Sequence, residues 1–134
     1  MGLGRIYNSF GSNATWSHTS DERKKKDITT NTDCGLNFLN DLRTVTYKWK
    51  APSEMPDTFE EYNANITEPT YENKMYGFIA QEVKTAMDKH SITDFEGWSE
   101  GNNGEQGVSY EMFVVPLVKA VQELSAKVTA LEAA

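Results

Sequence analysis

The sequence is poor in the residues that build covalent and metal cross-links. Its one cysteine, Cys34, excludes an internal disulfide and any cysteine-based metal site assembled from a single chain, and it reads as a small buried or half-buried residue. The two histidines, His18 and His90, show no metal-ligand spacing and read as surface or packing residues, so no metal or cofactor is expected. Cations are also scarce: 13 Lys and Arg stand against 20 Asp and Glu, a formal net charge of −7. That balance excludes the broad positive face that nucleic-acid or anionic-membrane binding needs. No apolar run approaches the ~20 residues of a membrane span, and the N-terminus lacks the charged-then-apolar pattern of a signal peptide. The 134 residues suit one domain with its own core and short extensions at either end.

What stands out against this acidic background is Ser20-Asp21-Glu22-Arg23-Lys24-Lys25-Lys26-Asp27-Ile28, the one basic cluster in the chain. By composition alone such a run is a solvated surface or a disordered arm. The apolar Ile28 at its end argues otherwise. A serine becomes a nucleophile when a base takes its proton, and a lysine can be that base when burial or neighbouring cations lower its pKa. Lys24, Lys25 and Lys26 are adjacent cations, and a tight turn could bring an amine five residues on to the Ser20 hydroxyl. A Ser-Lys dyad is therefore physically possible, although spacing does not choose among the lysines.

Around this cluster the chain changes character. Residues 1–19 are Gly, Ser, Thr and Asn interleaved with Ile6, Tyr7, Phe10 and Trp16, which predicts short strands and tight turns belonging to the end of an upstream β-rich structure. Leu36, Leu39 and Leu42, with Phe38 beside them, predict a short amphipathic helix. Val45, Tyr47 and Trp49 alternate with polar residues and predict a strand with one buried face. Residues 51–74 lose all periodicity, carry six acids against the single cation Lys74, and keep Phe59, Tyr62, Ile66 and Tyr71, the pattern of a structured projecting arm. The arm lacks the alternating oxygen ligands of a calcium loop.

Beyond the arm, a brief strand-like start at Met75 leads into a helix with Ile79, Val83 and Met87 spaced by four, ending near Lys89 or His90. Residues 91–107, with Gly97, Gly101, Gly104 and Gly107, predict a second loop anchored by Phe95 and Trp98. Ser109 is placed to cap a last helix in which Leu117, Val121, Leu124, Val128 and Leu131 follow a 4-3-4-3 spacing. That spacing marks a seam packed against other helices, and so short a repeat leaves the number of strands open. Pro116 falls at an outward position of this register, where it would kink the helix or mark where its straight part begins. The elements together give an α+β fold: short strands and helices, a long C-terminal helix and arms.

The basic cluster resembles the Ser-Asp-x-Arg-x-Lys-Lys-Asp-Ile signature of the intramolecular chaperone and self-cleaving domain, peptidase family S74, found at the C-termini of bacteriophage tail spikes, tail fibres and endosialidases. The resemblance continues in order through residues 35–42, Tyr47-Lys48-Trp49, Gly77-Phe78-Ile79-Ala80-Gln81-Glu82-Val83, Tyr110, and residues 116–124. It spans most of the chain and departs from the family pattern mildly, at Lys24, where the family is often apolar.

The resemblance implies a domain that helps a trimeric β-structured fibre to fold and then cuts itself off. Residues 1–20 would be the end of the client stem and residues 21–134 the chaperone, its C-terminal helix forming a trimeric coiled-coil-like bundle. The scissile bond would be Ser20–Asp21, with Ser20 the nucleophile and Lys25 its base. Attack by Ser20 on its own carbonyl would close a strained four-membered ring. Cleavage after Ser20 therefore leaves three routes: a lysine-activated water, participation by the Asp21 carboxylate, or a hydroxyl from a neighbouring chain. The implied partners are two further copies of the chain and its own upstream stem, with no nucleic acid and no membrane. The implied setting is the host cytoplasm during virion assembly, followed by release from the mature virion. An alternative is a permanent trimeric fibre tip that binds a host surface without cleavage, using Trp98 and the Gly-Asn loop.

Overall fold

A computed structural model describes residues 16–134, so the strands expected around Ile6, Tyr7 and Phe10 lie outside the described residues. The chain divides into two compact units, Met1–Thr30 and Asn31–Ala134. In the first, residues 16–30 are exposed throughout, and their one regular element is a 3-10 turn at Glu22–Lys24. Ile28, whose apolar character argued for burial, is 67% exposed.

The second unit is built from three α-helices, two small antiparallel sheets and short 3-10 turns. Helix α1 (Leu36–Asn40) leads into strand β1 (Val45–Tyr47), which pairs with β2 (Met75–Gly77) in the register Val45 to Gly77 and Tyr47 to Met75. Helix α2 (Ala80–Lys89) follows, then strands β3 (Trp98–Glu100) and β4 (Gln106–Val108), then α3 (Val114–Glu132) after a 3-10 turn at Tyr110–Phe113. Segregated helices and antiparallel pairs make this an α+β unit. None of the described helices is long and apolar enough to cross a membrane.

The core is small and aromatic. Phe38, Val83, Ala86, Met87, Ile92 and Phe113 are buried together, with Leu39, Leu42, Phe78, Phe95, Trp98 and Val108 packed on their edge. The spacing of the leucines in α1 suggested that they carry the buried face. Because α1 is only five residues long, its one fully buried side chain is instead Phe38, 0% exposed and edge-on to Phe95 at 5.8 Å. In α2 the buried face is Val83, Ala86 and Met87, whereas Ile79 caps the helix and stays exposed. The helix stops at Lys89, as its sequence predicts, and Ser91 beyond it takes a left-handed conformation with φ 56°.

Further features differ from the sequence reading, among them Ser109, which precedes the Tyr110–Phe113 turn without a side-chain cap bond while Phe113 stands at the N-cap of α3. The stretch 91–107 is not all loop: it carries most of the β3–β4 hairpin, which ends at Val108 and is closed by a turn in which Gly104 takes φ +82°. Residues 51–74 form neither strand nor α-helix, yet they are folded at their base: Ala51 and Pro52 are buried, Ser53 N donates to Ile66 O at 3.0 Å, and Glu54 accepts from Ala51 N at 2.9 Å. Pro116 does not point outward; it marks the beginning of α3. It lies in the first turn, where backbone N–H groups have no intrahelical partner, and it is buried on the same side as Phe113 and Ala120.

Helix α3 packs chiefly on α1. Glu123 reaches the start of α1, where its Oε1 accepts from Leu36 N at 3.4 Å, and the missing side chain of Gly35 leaves it room, since a Cβ there would lie 2.1 Å from the same oxygen. The repeat of Leu117, Val121, Leu124, Val128 and Leu131 runs along the neighbouring face and is 46–75% exposed, with Leu117 also bordering a cavity beside Leu39, Leu42 and Phe113.

Candidate active site

The site is built by the 3-10 turn of the first unit. Asp21 caps it: its Oδ1 accepts from Arg23 N at 2.9 Å, while Lys24 N and Lys25 N donate to Asp21 O and Glu22 O, both at 3.0 Å. The Arg23 guanidinium folds back on the same carboxylate, Nε to Oδ1 at 3.0 Å and Nη2 to Oδ2 at 2.7 Å. Such a two-pronged, charge-assisted contact fixes the carboxylate against the turn. The side-chain bond from Arg23, and then its backbone N–H, hold the Asp21 carboxyl below the usual carboxylate range. An ionised carboxylate committed to a guanidinium is a weak base, which disfavours it as a proton acceptor.

The tight turn also reverses the chain enough for two side chains five residues apart to meet. Lys25 leaves the turn in an extended conformation, and its Nζ donates to Ser20 Oγ at 2.6 Å. That distance is within proton-transfer reach. The contact can run in either direction, since a neutral amine would accept from the hydroxyl that an ammonium donates to. The side chains of Lys24 and Lys26 make no hydrogen bond or ion pair among the described residues. Asp27 then takes φ 54°, a left-handed conformation that aspartate tolerates better than most residues, and turns the chain away.

Of the three sequence-predicted site residues, Ser20 and Lys25 touch each other, and Asp21 contacts Arg23. Arg23 carried no role in the sequence reading, although an Asp-x-Arg spacing at the head of a turn signals such a pair. The remaining candidates for chemistry fall away. The Cys34 thiol is pushed up to about 11, first by burial and then by Asp33, and so is not a ready nucleophile. Among the described residues no group of three His, Cys, Asp or Glu side chains could hold a metal ion.

The family Peptidase_S74, described as chaperone of endosialidase, matches residues 20–92, more than half of the chain. The chain belongs to this family. The Peptidase_S74 match begins at Ser20 itself and runs through the turn, α1, both strands of the first sheet and α2. No curated protein matches the sequence. Two glycines in the matched region have structural reasons. Gly35 admits Glu123, and Gly77 admits the Tyr110 ring, whose hydroxyl accepts from Phe78 N at 3.0 Å. Within this Peptidase_S74 chain, then, the ordered sequence blocks outside the turn mark where α3 and the segment before it lock onto the remainder of the second unit.

Proposed function

We propose that this chain is an intramolecular chaperone that trimerises, assists the folding of an upstream β-structured fibre or spike stem, and then releases itself by cutting the Ser20–Asp21 bond. The observation that carries the reading is the 2.6 Å contact between Lys25 Nζ and Ser20 Oγ, one peptide bond from the clamped Asp21. In the net reaction one water is consumed. Its oxygen ends on the carbonyl carbon of Ser20 as a carboxylate, the C–N bond breaks, and the Asp21 nitrogen becomes a new amino terminus. Lys25, as the neutral amine, takes the proton from Ser20 Oγ and, as the ammonium, gives it up to the Asp21 nitrogen as the C–N bond breaks. The hydroxyl then either attacks the Ser20 carbonyl of a neighbouring copy, forming an ester that water opens, or relays the proton demand to a water that attacks directly.

A lysine works as a base when it is shielded from solvent. Ser20 and Lys25 are exposed in the single chain, so cover by another copy would make cleavage conditional on assembly. The exposed leucine and valine repeat of α3 supports such assembly, because a seam of this spacing is stable only when other helices cover it. Three stems held in register reach a high effective concentration, which helps strands from different chains to pair. Release of residues 21–134, a chaperone of 114 residues (134 minus 20), would leave the stem kinetically locked. Its client is the stem, and its setting is the host cytoplasm during virion assembly.

The test is a lysine scan in a parent that includes the stem. Lys25→Ala is expected to abolish the C-terminal fragment, while Lys24→Ala and Lys26→Ala still cut. Equal cutting by all three variants would remove Lys25 from the mechanism. A folded parent that never cuts would favour a permanent fibre tip.

A further inference from the structure

An open groove of about 600 Å³ runs across the second unit and touches all three residues of β1 (Val45, Thr46 and Tyr47) and all three of β4 (Gln106, Gly107 and Val108). Consecutive strand residues send their side chains to opposite faces, so a groove that meets every residue of a strand follows its edge. No residue of β2 or β3 borders it, so these are the edges that pairing leaves free. In an antiparallel pair alternate residues turn N–H and C=O away from the partner, and each strand therefore aims backbone groups into the groove. Trp49 and Tyr110 stand in its walls with Tyr47, and Arg43 lies in it, with Lys48 and Lys50 flanking Trp49.

The chain also holds a segment suited to such edges. Residues 67–73 make no backbone hydrogen bond among the described residues and are exposed apart from the half-buried Pro69. Their charges are Glu68 and Glu72, opposite in sign to Arg43 in the groove, which also pairs with Glu82 at 2.9 Å, and to Lys48 and Lys50 on either side of Trp49. Tyr71 is 46% exposed. Pro69 cannot donate within a ladder and is suited to the first residue of a strand, which leaves residues 70–73 to pair. Those four residues are enough to span the three-residue edges of β1 and β4.

We infer that residues 70–73 of one copy insert as a strand into the β1–β4 groove of a second copy, with Tyr71 against the aromatic wall and the Glu68 and Glu72 carboxylates toward the cations. The same chain cannot supply this strand. Residue 73 lies two positions before Met75, which pairs with Tyr47 on the other edge of β1. Crossing from there to the free edge spans about 9.6 Å, two strand spacings, whereas two residues of extended chain reach about 7 Å. The inference rests on the assembly of copies proposed above.

The test uses the full chain with Tyr71 replaced by photoreactive p-benzoylphenylalanine, prepared as a mixture of ¹⁴N and ¹⁵N copies. Irradiation is expected to join position 71 to peptides containing Tyr47, Trp49 or residues 106–110, in mixed-isotope pairs. The double variant Glu68→Lys with Glu72→Lys touches no partner in the single chain and is expected to lower the yield roughly fivefold at low salt. Same-isotope products only, products mapping elsewhere, or a yield unchanged by E68K/E72K would each overturn the inference. Native mass separates the two readings. Oligomers whose cross-links map elsewhere refute this contact alone, and a chain monomeric at every concentration refutes the assembly as well.

Discussion

Replacing Gly77 by alanine should be costly, and the cost should disappear when Tyr110 is also changed to phenylalanine. A Cβ at position 77 would lie 2.2 Å from Tyr110 Oη, 3.3 Å from its Cζ and 3.4 Å from Tyr47 Cε1, so the hydroxyl is the principal obstacle. In Gly77→Ala the phenol must move. It loses its hydrogen bond from Phe78 N, worth about 0.5–1.5 kcal/mol, and its stacking on Phe78 at 5.7 Å, worth roughly 0.5–1.5 kcal/mol more. Against this, alanine is stiffer than glycine in the unfolded chain and returns about 0.4–1 kcal/mol. The net expectation is a loss of about 1–2 kcal/mol, combining those terms. Tyr110→Phe alone loses the hydrogen bond, about 1 kcal/mol. The double variant loses that same bond, relieves the 2.2 Å clash and keeps the ring stack, so it should be no less stable than Tyr110→Phe. The cycle should therefore show a favourable coupling of about 1–2 kcal/mol. Urea unfolding of the four proteins at one fixed concentration, with equal m-values, measures it. Additive effects would refute the assignment of Gly77 as the space for the Tyr110 hydroxyl.

Asp41 accepts from His90 Nε2 at 2.6 Å and from Lys89 Nζ at 2.9 Å, and these partners, His90 first, hold its carboxyl below its ordinary value. A depressed carboxyl contributes stability that is present above the unfolded value of about 3.9 and is lost as pH falls through the folded one. Asp41→Asn should therefore flatten the acid limb of a plot of urea midpoint against pH, and an unchanged slope below about pH 4 would contradict the pairing. The Cys34 thiol, raised from 9.0 to about 11, should react with a disulfide reagent at pH 8 at least about tenfold more slowly in the folded chain than in urea, since its thiolate is scarcer though more nucleophilic; equal rates would show it to be free. Leu124→Asp, at a position 50% exposed in the single chain, should leave the monomer folded by circular dichroism while abolishing both oligomers and cleavage. Cleavage that survives in that monomer would separate the chemistry from assembly.

The sequence made the long-spaced features legible. Val83 and Met87 lie four apart on the buried face of α2, and β1 follows from the alternation of Val45, Thr46 and Tyr47. The β3–β4 hairpin does not show in the sequence because no alternation continues beyond its three-residue strands, as it does from β1 to Trp49, and the glycines around them read as loop. Pro116 reads as outward because it stands beside the leucine and valine seam, whereas α3 buries the neighbouring face that carries Pro116 and Ala120, and the first turn of a helix accepts proline without losing a bond. At the candidate site, composition gave a basic run and spacing gave three equivalent lysines. Local turn geometry distinguishes them, because the chain leaves the 3-10 turn extended at Lys25 and only that side chain bends back to Ser20. The Asp21–Arg23 clamp that stiffens the turn is a short-range pair that no periodicity would reveal.

The most direct test of the account is the intact mass of products from a folded parent carrying its stem upstream of residue 20. Wild type is expected to yield a C-terminal fragment of 114 residues beginning at Asp21, and Ser20→Ala none. A fragment beginning at any other residue, or an undiminished fragment from Ser20→Ala, would contradict self-cleavage through the Ser20 hydroxyl.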